Sequence, residues 1–248
     1  LNNMTLDKIL LVRHDATDAT DPTKVGYIQG QTESRLQPGF VGRIQSLTDL
    51  IAEKEELTRE GEAKKQLHIV SSSLIRTYGT AEAMLHHLWR RYGQPGELRY
   101  TEYLKERGQG NLEGMSFKDA LPILSKGSHL STDAETIYPL LYSEDNVPNA
   151  ETHEAVTRRL AQVAQEYVQG LEGIGIFTVH LISGMNYLRN LLTDGNILAK
   201  PFERHPNLSV VRLEFDAKNF MRYRITGQYG PPGNGVTPGT KQLVIQNS

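Results

Sequence analysis

The 248-residue chain contains no cysteine. Thiolate nucleophiles, thiolate-held zinc and iron–sulfur clusters are thereby excluded, while the compartment stays open because disulfide-free proteins occur everywhere. An excess of charge of one sign is lacking too: 27 Lys and Arg stand against 29 Asp and Glu, a net −2. No global field therefore recommends nucleic acid or an anionic membrane as a partner. No apolar run approaches the roughly 20 residues of a membrane span. Leu1 to Leu11 lacks the basic start and small-residue cleavage site of a secretion signal. These absences leave a cytoplasmic globular enzyme as the expectation. Its 38% hydrophobic content is enough to bury one large core.

Short apolar runs separated by amphipathic stretches make up most of what is present. Lys8–Arg13 (KILLVR), Leu67–Val70 and Ile174–Val179 (IGIFTV) read as buried strands, with another near 97–100. Helical spacing covers 40–56, with Val41, Ile44, Leu47, Leu50 and Ile51 on one face. It recurs from the serines 71–73, offered as caps, through Trp89, then over 150–169 and 185–192. Residues 210–215 and 221–225 alternate around Asp216–Asn219 as a hairpin. Residues 101–114 read as a loop, 115–148 as an irregular cap insertion carrying three prolines, and 228–248 as an extended Gly/Pro-rich tail. The alternation predicts a single domain over 1–248, a three-layer α/β/α sandwich on a mostly parallel central sheet.

In such sheets ligands bind beyond the carboxyl ends of the strands. Three strand ends carry groups suited to phosphate: Arg13-His14, the segment Ser71–Arg76, and His180. Singly, each has an ordinary structural reading, since a lone strand-end histidine is more often a satisfied core residue. Jointly they would bring two guanidiniums and two imidazoles to one concave spot. That cluster is unfavourable without an anion, and a phosphoryl group supplies matching charge and acceptor oxygens. The remaining candidates are weaker. His86-His87 are adjacent on a helix, point to different faces and make no metal pair. His153 and His205 stand alone as expected surface or cap residues, and Arg90-Arg91 and Arg158-Arg159 as solvated helix faces. Lys105 and Arg107 are candidate contacts for an anionic substrate.

Leu11-Val12-Arg13-His14 with Thr17 resembles the Arg-His-Gly signature of the histidine phosphatase superfamily, in its phosphoglycerate mutase-like branch. Further segments agree in the same order: Leu36-x-x-Gly39 with Arg43, Ser71 to Glu82, and Leu104-Lys105-Glu106-Arg107 with Gly110 and Leu112-Glu113-Gly114. His180 with Met185-Asn186-Tyr187-Leu188, and Pro206-Asn207-Leu208-Ser209, complete the series, which spans roughly 8 to 227. The resemblance implies that His14 attacks phosphorus and becomes a phosphohistidine, while Arg13, Arg76 and His180 hold the equatorial oxygens. It implies that Glu106 protonates the leaving oxygen and then activates water, and that Thr17 and Ser72 add hydroxyl contacts. It implies no metal and no cofactor, and a small phosphorylated molecule as partner; oligomeric state stays open.

The chain departs from the family pattern at two places. Asp15 stands where the family has Gly, so its carboxylate either repels phosphate or points away. Leu181 replaces the Gly after the second histidine, and the Met-Asn-Tyr-Leu stretch begins one residue late. These departures sustain a second reading, a pseudo-phosphatase that binds a phosphorylated ligand or protein without turnover. A mutase-type phosphotransferase is a third. Mutases need extra basic residues for the substrate carboxylate, whereas 115–148 offers Lys118 and Lys126 among Leu121, Ile123, Tyr138, Leu140, Tyr142, Glu144 and Asp145. That composition favours a phosphatase with a partly apolar substrate.

Overall fold

The apolar run Lys8–Arg13 forms strand β1, buried on both faces inside a six-stranded sheet. The computed structural model describes residues 6–20, 26–57, 66–126, 130–143, 147–216 and 222–230. The other strands are β2 (Leu67–Ser72), β3 (Glu97–Thr101), β4 (Ile174–Val179), β5 (Val210–Asp216) and β6 (Arg222–Tyr229). Their order is β3-β2-β4-β1-β5-β6. Strands β1 to β4 pair in parallel, and β5 and β6 add an antiparallel edge. Burial on both faces explains why β1, β2 and β4 read as continuous apolar runs rather than as alternation.

Two apolar layers cover the sheet. On one face Leu10, Val12, Ile69 and Ile176 meet helix α1 (Phe40–Lys54) and helix α2 (Ile75–Tyr92) through Ile44, Leu47, Ile51, Met84 and Leu88. On the other, Ile9, Leu11, Phe177 and Val211 meet α3 (Phe117–Leu124), α4 (Ala134–Tyr142), α5 (His153–Tyr167) and α6 (Arg189–Asp194). The expected three-layer α/β/α sandwich is the fold. Each fully buried Leu or Ile contributes roughly 1.5–3 kcal/mol. No helix among the described residues is long and apolar enough to cross a membrane.

Several elements differ from the sequence expectation. The serines 71–73 do not cap α2: Ser71 and Ser72 belong to β2, and the helix starts after Leu74 with no side-chain cap. The 115–148 segment is more regular than its prolines suggested. Ser116 caps α3 and Asp133 caps α4, each accepting a backbone N–H with its side chain. Strand β6 runs to Tyr229 and takes in the start of the expected tail. The hairpin turn 217–221 and residues 231–248 lie outside the described residues.

The late Met-Asn-Tyr-Leu stretch has a physical origin. Residues Leu181–Leu188 form a π-helix that leads straight into α6. The Met185 N–H reaches the His180 carbonyl at 2.9 Å, five residues back. Such a wide turn absorbs one extra residue without rotating the helix that follows. Gly184 permits it: a Cβ there would lie 2.1 Å from Val179 Cβ.

Candidate functional site

His14 follows β1 directly, and its N–H bonds to the Val179 carbonyl at the end of β4 (3.1 Å). His180 follows β4, so two neighbouring parallel strands deliver both imidazoles to one end of the sheet, with ring centroids 5.3 Å apart. The His14 Nδ1 lies 2.7 Å from the Asp15 carbonyl. A carbonyl only accepts, so Nδ1 carries the proton and Nε2 keeps its lone pair.

Arg76 enters from the first turn of α2 and is buried. Its guanidinium donates to the Gly30 and Thr32 carbonyls (both 2.7 Å) and, through Nε, to His180 Nδ1 (3.3 Å). That contact sets the His180 tautomer: Nδ1 accepts, and Nε2–H donates to Ser72 Oγ at 3.0 Å. Arg13 donates to the His205 carbonyl, while its buried Nε has no partner. The backbone at residue 30 favours glycine. It adopts φ +49, and a Cβ would fall 2.2 Å from Glu113 Oε1.

Glu106 reaches the same place from the loop after β3. Its carboxylate accepts the N–H groups of Ile182 (3.1 Å) and Ser183 (2.8 Å) at the start of the π-helix, and that of Arg107 (2.9 Å). Arg13, His14, Arg76, Glu106 and His180 thus line one small cavity of about 30 Å³. Its outer wall is Ile28, Gln29, Gly30, Gln109, Tyr138, Leu141, Leu181 and Ile182.

The electrostatics follow from burial. Desolvation, then the Arg76 charge, holds His14 well below the usual imidazole range, and Arg13 adds to the effect. His180 is lowered likewise, by burial and then by Arg76. Burial also lowers Arg13 and Arg76, partly offset by the negative charge of Glu106. Two neutral imidazoles between two guanidiniums form a site that a dianion would complete.

A pH dependence follows. Sulfate keeps its charge across the range about pH 5 to 7.5, so any change in its affinity reports the protein's own titration. A bound dianion favours the protonated imidazoles, so binding takes up protons and tightens as pH falls. Without an anion the sign reverses for stability. The unfolded chain protonates these histidines below about 6.5 while the folded one does not, so stability drops with falling pH. Calorimetric titrations and thermal melts with and without sulfate check both trends. Sulfate affinity that is flat or rises with pH would contradict the arrangement.

The other sequence candidates divide. Thr17 does not line the cavity; its hydroxyl accepts from Gln29 Nε2 (3.1 Å) and so supports a residue that does. Ser72 reaches the site through His180. Of the two alternatives for Asp15, the carboxylate takes the second: it turns away from the cavity onto Arg43 (2.9 Å) and the Ala16 N–H (2.7 Å). Lys105 pairs with Glu102. Arg107 is fully buried and donates to the Leu141 and Glu151 carbonyls, so neither residue contacts the cavity.

Two residues read as peripheral are covered, one wholly and one in part. His205 is buried and supplies the carbonyl that holds Arg13. Arg159, unlike the exposed Arg158, lies under the Glu106 loop. Sequence reasoning also missed Gln29 and Gln109 in the cavity wall, and no local signal marks either. Among the described residues no three His, Asp or Glu side chains group as a metal ion would require.

A sequence model of the histidine phosphatase superfamily (branch 1) matches residues 9–225. No curated protein matches the chain. Among solved structures, the mycobacterial glucosyl-3-phosphoglycerate phosphatase superposes with TM-score 0.59 at 17% identity, over 88% of this chain and 96% of that one. Phosphoglycerate mutase from Bacillus anthracis gives 0.59 at 17%, over 90% and 92%. The alpha-ribazole phosphatase of Shigella flexneri gives 0.56 at 15%, over 88% and 95%. At these identities the likeness is one of fold.

Proposed function

Since the chain belongs to the histidine phosphatase superfamily, we propose that it hydrolyses phosphate monoesters through a phosphohistidine on His14. The observation that carries this reading is the Nδ1 contact of His14 with the Asp15 carbonyl, which leaves Nε2 free within a cavity also lined by Arg13 and Arg76. Nε2 forms the N–P bond as the ester P–O bond breaks, and Glu106, having first taken a proton from solvent, passes it to the leaving oxygen. Water then forms a new O–P bond, the N–P bond breaks, and the water proton returns to Glu106. Arg13 and Arg76 hold the equatorial oxygens and supply the positive charge that many phosphoryl-transfer enzymes take from Mg²⁺; His180 joins them once the bound dianion has drawn a proton onto its Nδ1, while Nε2–H stays on Ser72. Ser72 orients His180, and Thr17 steadies Gln29.

The substrate is a small phosphorylated molecule with a partly apolar leaving group. Ile28, Tyr138, Leu141, Leu181 and Ile182 face that group, and among the described residues the cavity wall holds no cationic side chain beyond Arg13 and Arg76. This wall favours hydrolysis over a mutase-type transfer, which needs further basic residues for a substrate carboxylate. Within the expected cap insertion, α4 serves as the cap, with Tyr138 and Leu141 in the cavity wall. The pseudo-phosphatase alternative loses its main motive once Asp15 is engaged by Arg43.

The test is direct. The protein is incubated with p-nitrophenyl phosphate, quenched in alkali (which preserves phosphohistidine) and digested. Mass spectrometry should find phosphate on the peptide bearing His14. Turnover with no phosphate on that peptide refutes the mechanism. Efficient exchange between 2- and 3-phosphoglycerate would refute the substrate class.

A further inference from the structure

We propose that Arg159 is a positioning residue for the proton transfer at Glu106, holding the loop that carries this carboxylate at the reach the leaving oxygen requires. The inference rests on the reading of Glu106 as acid and base.

The loop from Tyr103 to Gly108 contains no strand or α-helix to satisfy its carbonyls, and one guanidinium does most of this instead, joined at the Glu106 carbonyl by Gln31 Nε2 (3.0 Å). Arg159 Nη1 donates to the Tyr103 carbonyl (2.7 Å) and the Lys105 carbonyl (2.8 Å), and Nη2 to the Glu106 carbonyl (3.3 Å). The outer edge of the guanidinium is fixed by Glu151, with Nε to Oε1 at 2.7 Å and Nη2 to Oε2 at 2.9 Å. Glu151 holds the far end of the loop as well. Its Oε2 accepts the Gly108 N–H (3.1 Å), and its own N–H donates to the Gly108 carbonyl (2.9 Å).

Arg159 sits on α5, whose apolar face (Val156, Leu160, Val163) is locked into the core. The loop is therefore gripped from behind by a helix anchored in the core, while the Glu106 carboxylate is met in front by the Ile182 and Ser183 N–H groups. A fork of five fixed donors is what such a grip needs; an ammonium cannot span three carbonyls and a carboxylate in one plane. Misplacing an acid by about 1 Å is enough to lower a rate by roughly 10²-fold.

A residue acting through a general acid leaves a signature that a merely structural one does not. An alkyl phosphate, whose alkoxide leaves poorly, depends on proton donation, whereas p-nitrophenolate leaves without it. Arg159→Gln is expected to lower kcat/KM for an alkyl phosphate at least roughly tenfold more than for p-nitrophenyl phosphate. Sulfate affinity should stay within about twofold, because the Arg13, Arg76 and His180 contacts are untouched. Arg159→Lys should show the same bias at smaller size, and it is the variant to read if Arg159→Gln does not fold. Equal losses on the two substrates, in whichever variant is folded, would overturn the proposal. Glu106→Gln, measured alongside, separates the two levels. If it shows the leaving-group bias and the Arg159 variants do not, the positioning claim alone falls; if it shows no bias, the reading of Glu106 falls first and takes the claim with it.

Discussion

Replacing His14 by alanine should lower kcat/KM on p-nitrophenyl phosphate by roughly 10³-fold or more while leaving sulfate binding measurable. The two halves have separate causes. The imidazole supplies the attacking lone pair, and none of Arg13, Arg76 or Glu106 can replace it: guanidiniums have no lone pair to offer and the carboxylate is engaged by three N–H donors. The dianion, by contrast, is held chiefly by charge. Arg13 and Arg76 remain in the variant, and Arg76 stays anchored on Gly30 and Thr32. A His14→Ala protein that retains most of its activity would end the nucleophile reading. One that loses activity and sulfate binding together would mean that the side chain is needed to build the pocket.

The second large effect lies behind the site. Arg189 is buried at 1% exposure and donates to Glu203, to Asn190 Oδ1 (3.2 and 3.1 Å) and to His205 Nε2 (3.1 Å). Because an arginine only donates, His205 accepts through Nε2 and is neutral there; burial holds it down to about 4 despite the nearby Glu203. Asn186 ties the same strap from the other side, donating to the Glu203 carbonyl and accepting its N–H. Arg189→Met keeps most of the volume and removes every donor. It leaves buried acceptors on Asn190 and His205 unpaired, at a cost of about 3 kcal/mol. For a chain of this size that is a fall of about 6–12 °C in Tm, readable by calorimetry. The His205 carbonyl also holds Arg13, so KM for p-nitrophenyl phosphate should rise with it. A Tm within about 1 °C of the parent would show that the network contributes little.

Much of the architecture was legible because strands buried on both faces announce themselves as apolar runs, as Lys8–Arg13 and Ile174–Val179 do. The strand ends then pointed to His14 and His180 without any long-range information. What stayed hidden depends on direction. Arg158 and Arg159 are neighbours of one type on one helix, and only the rotation of α5 against the core decides that the second is covered. His205 lies in a segment without regular structure, so its burial is fixed by partners 16 and more residues away in sequence. Asp15 was ambiguous for a similar reason: its effect on phosphate depends on whether Arg43, 28 residues on, is there to receive it. The serines 71–73 misled because cap-forming residues also suit the end of a strand.

The π-helix has an implication for how this site tolerates change. By widening one turn between His180 and Arg189, the backbone uncouples the length of that segment from the angle at which α6 leaves it. The loose turn is also where the Glu106 carboxylate finds its two N–H donors. Shortening 181–188 by one residue would tighten it into an ordinary helix and re-aim both amides. An alteration in spacing that changes no side chain of the pocket would thereby retune the acid.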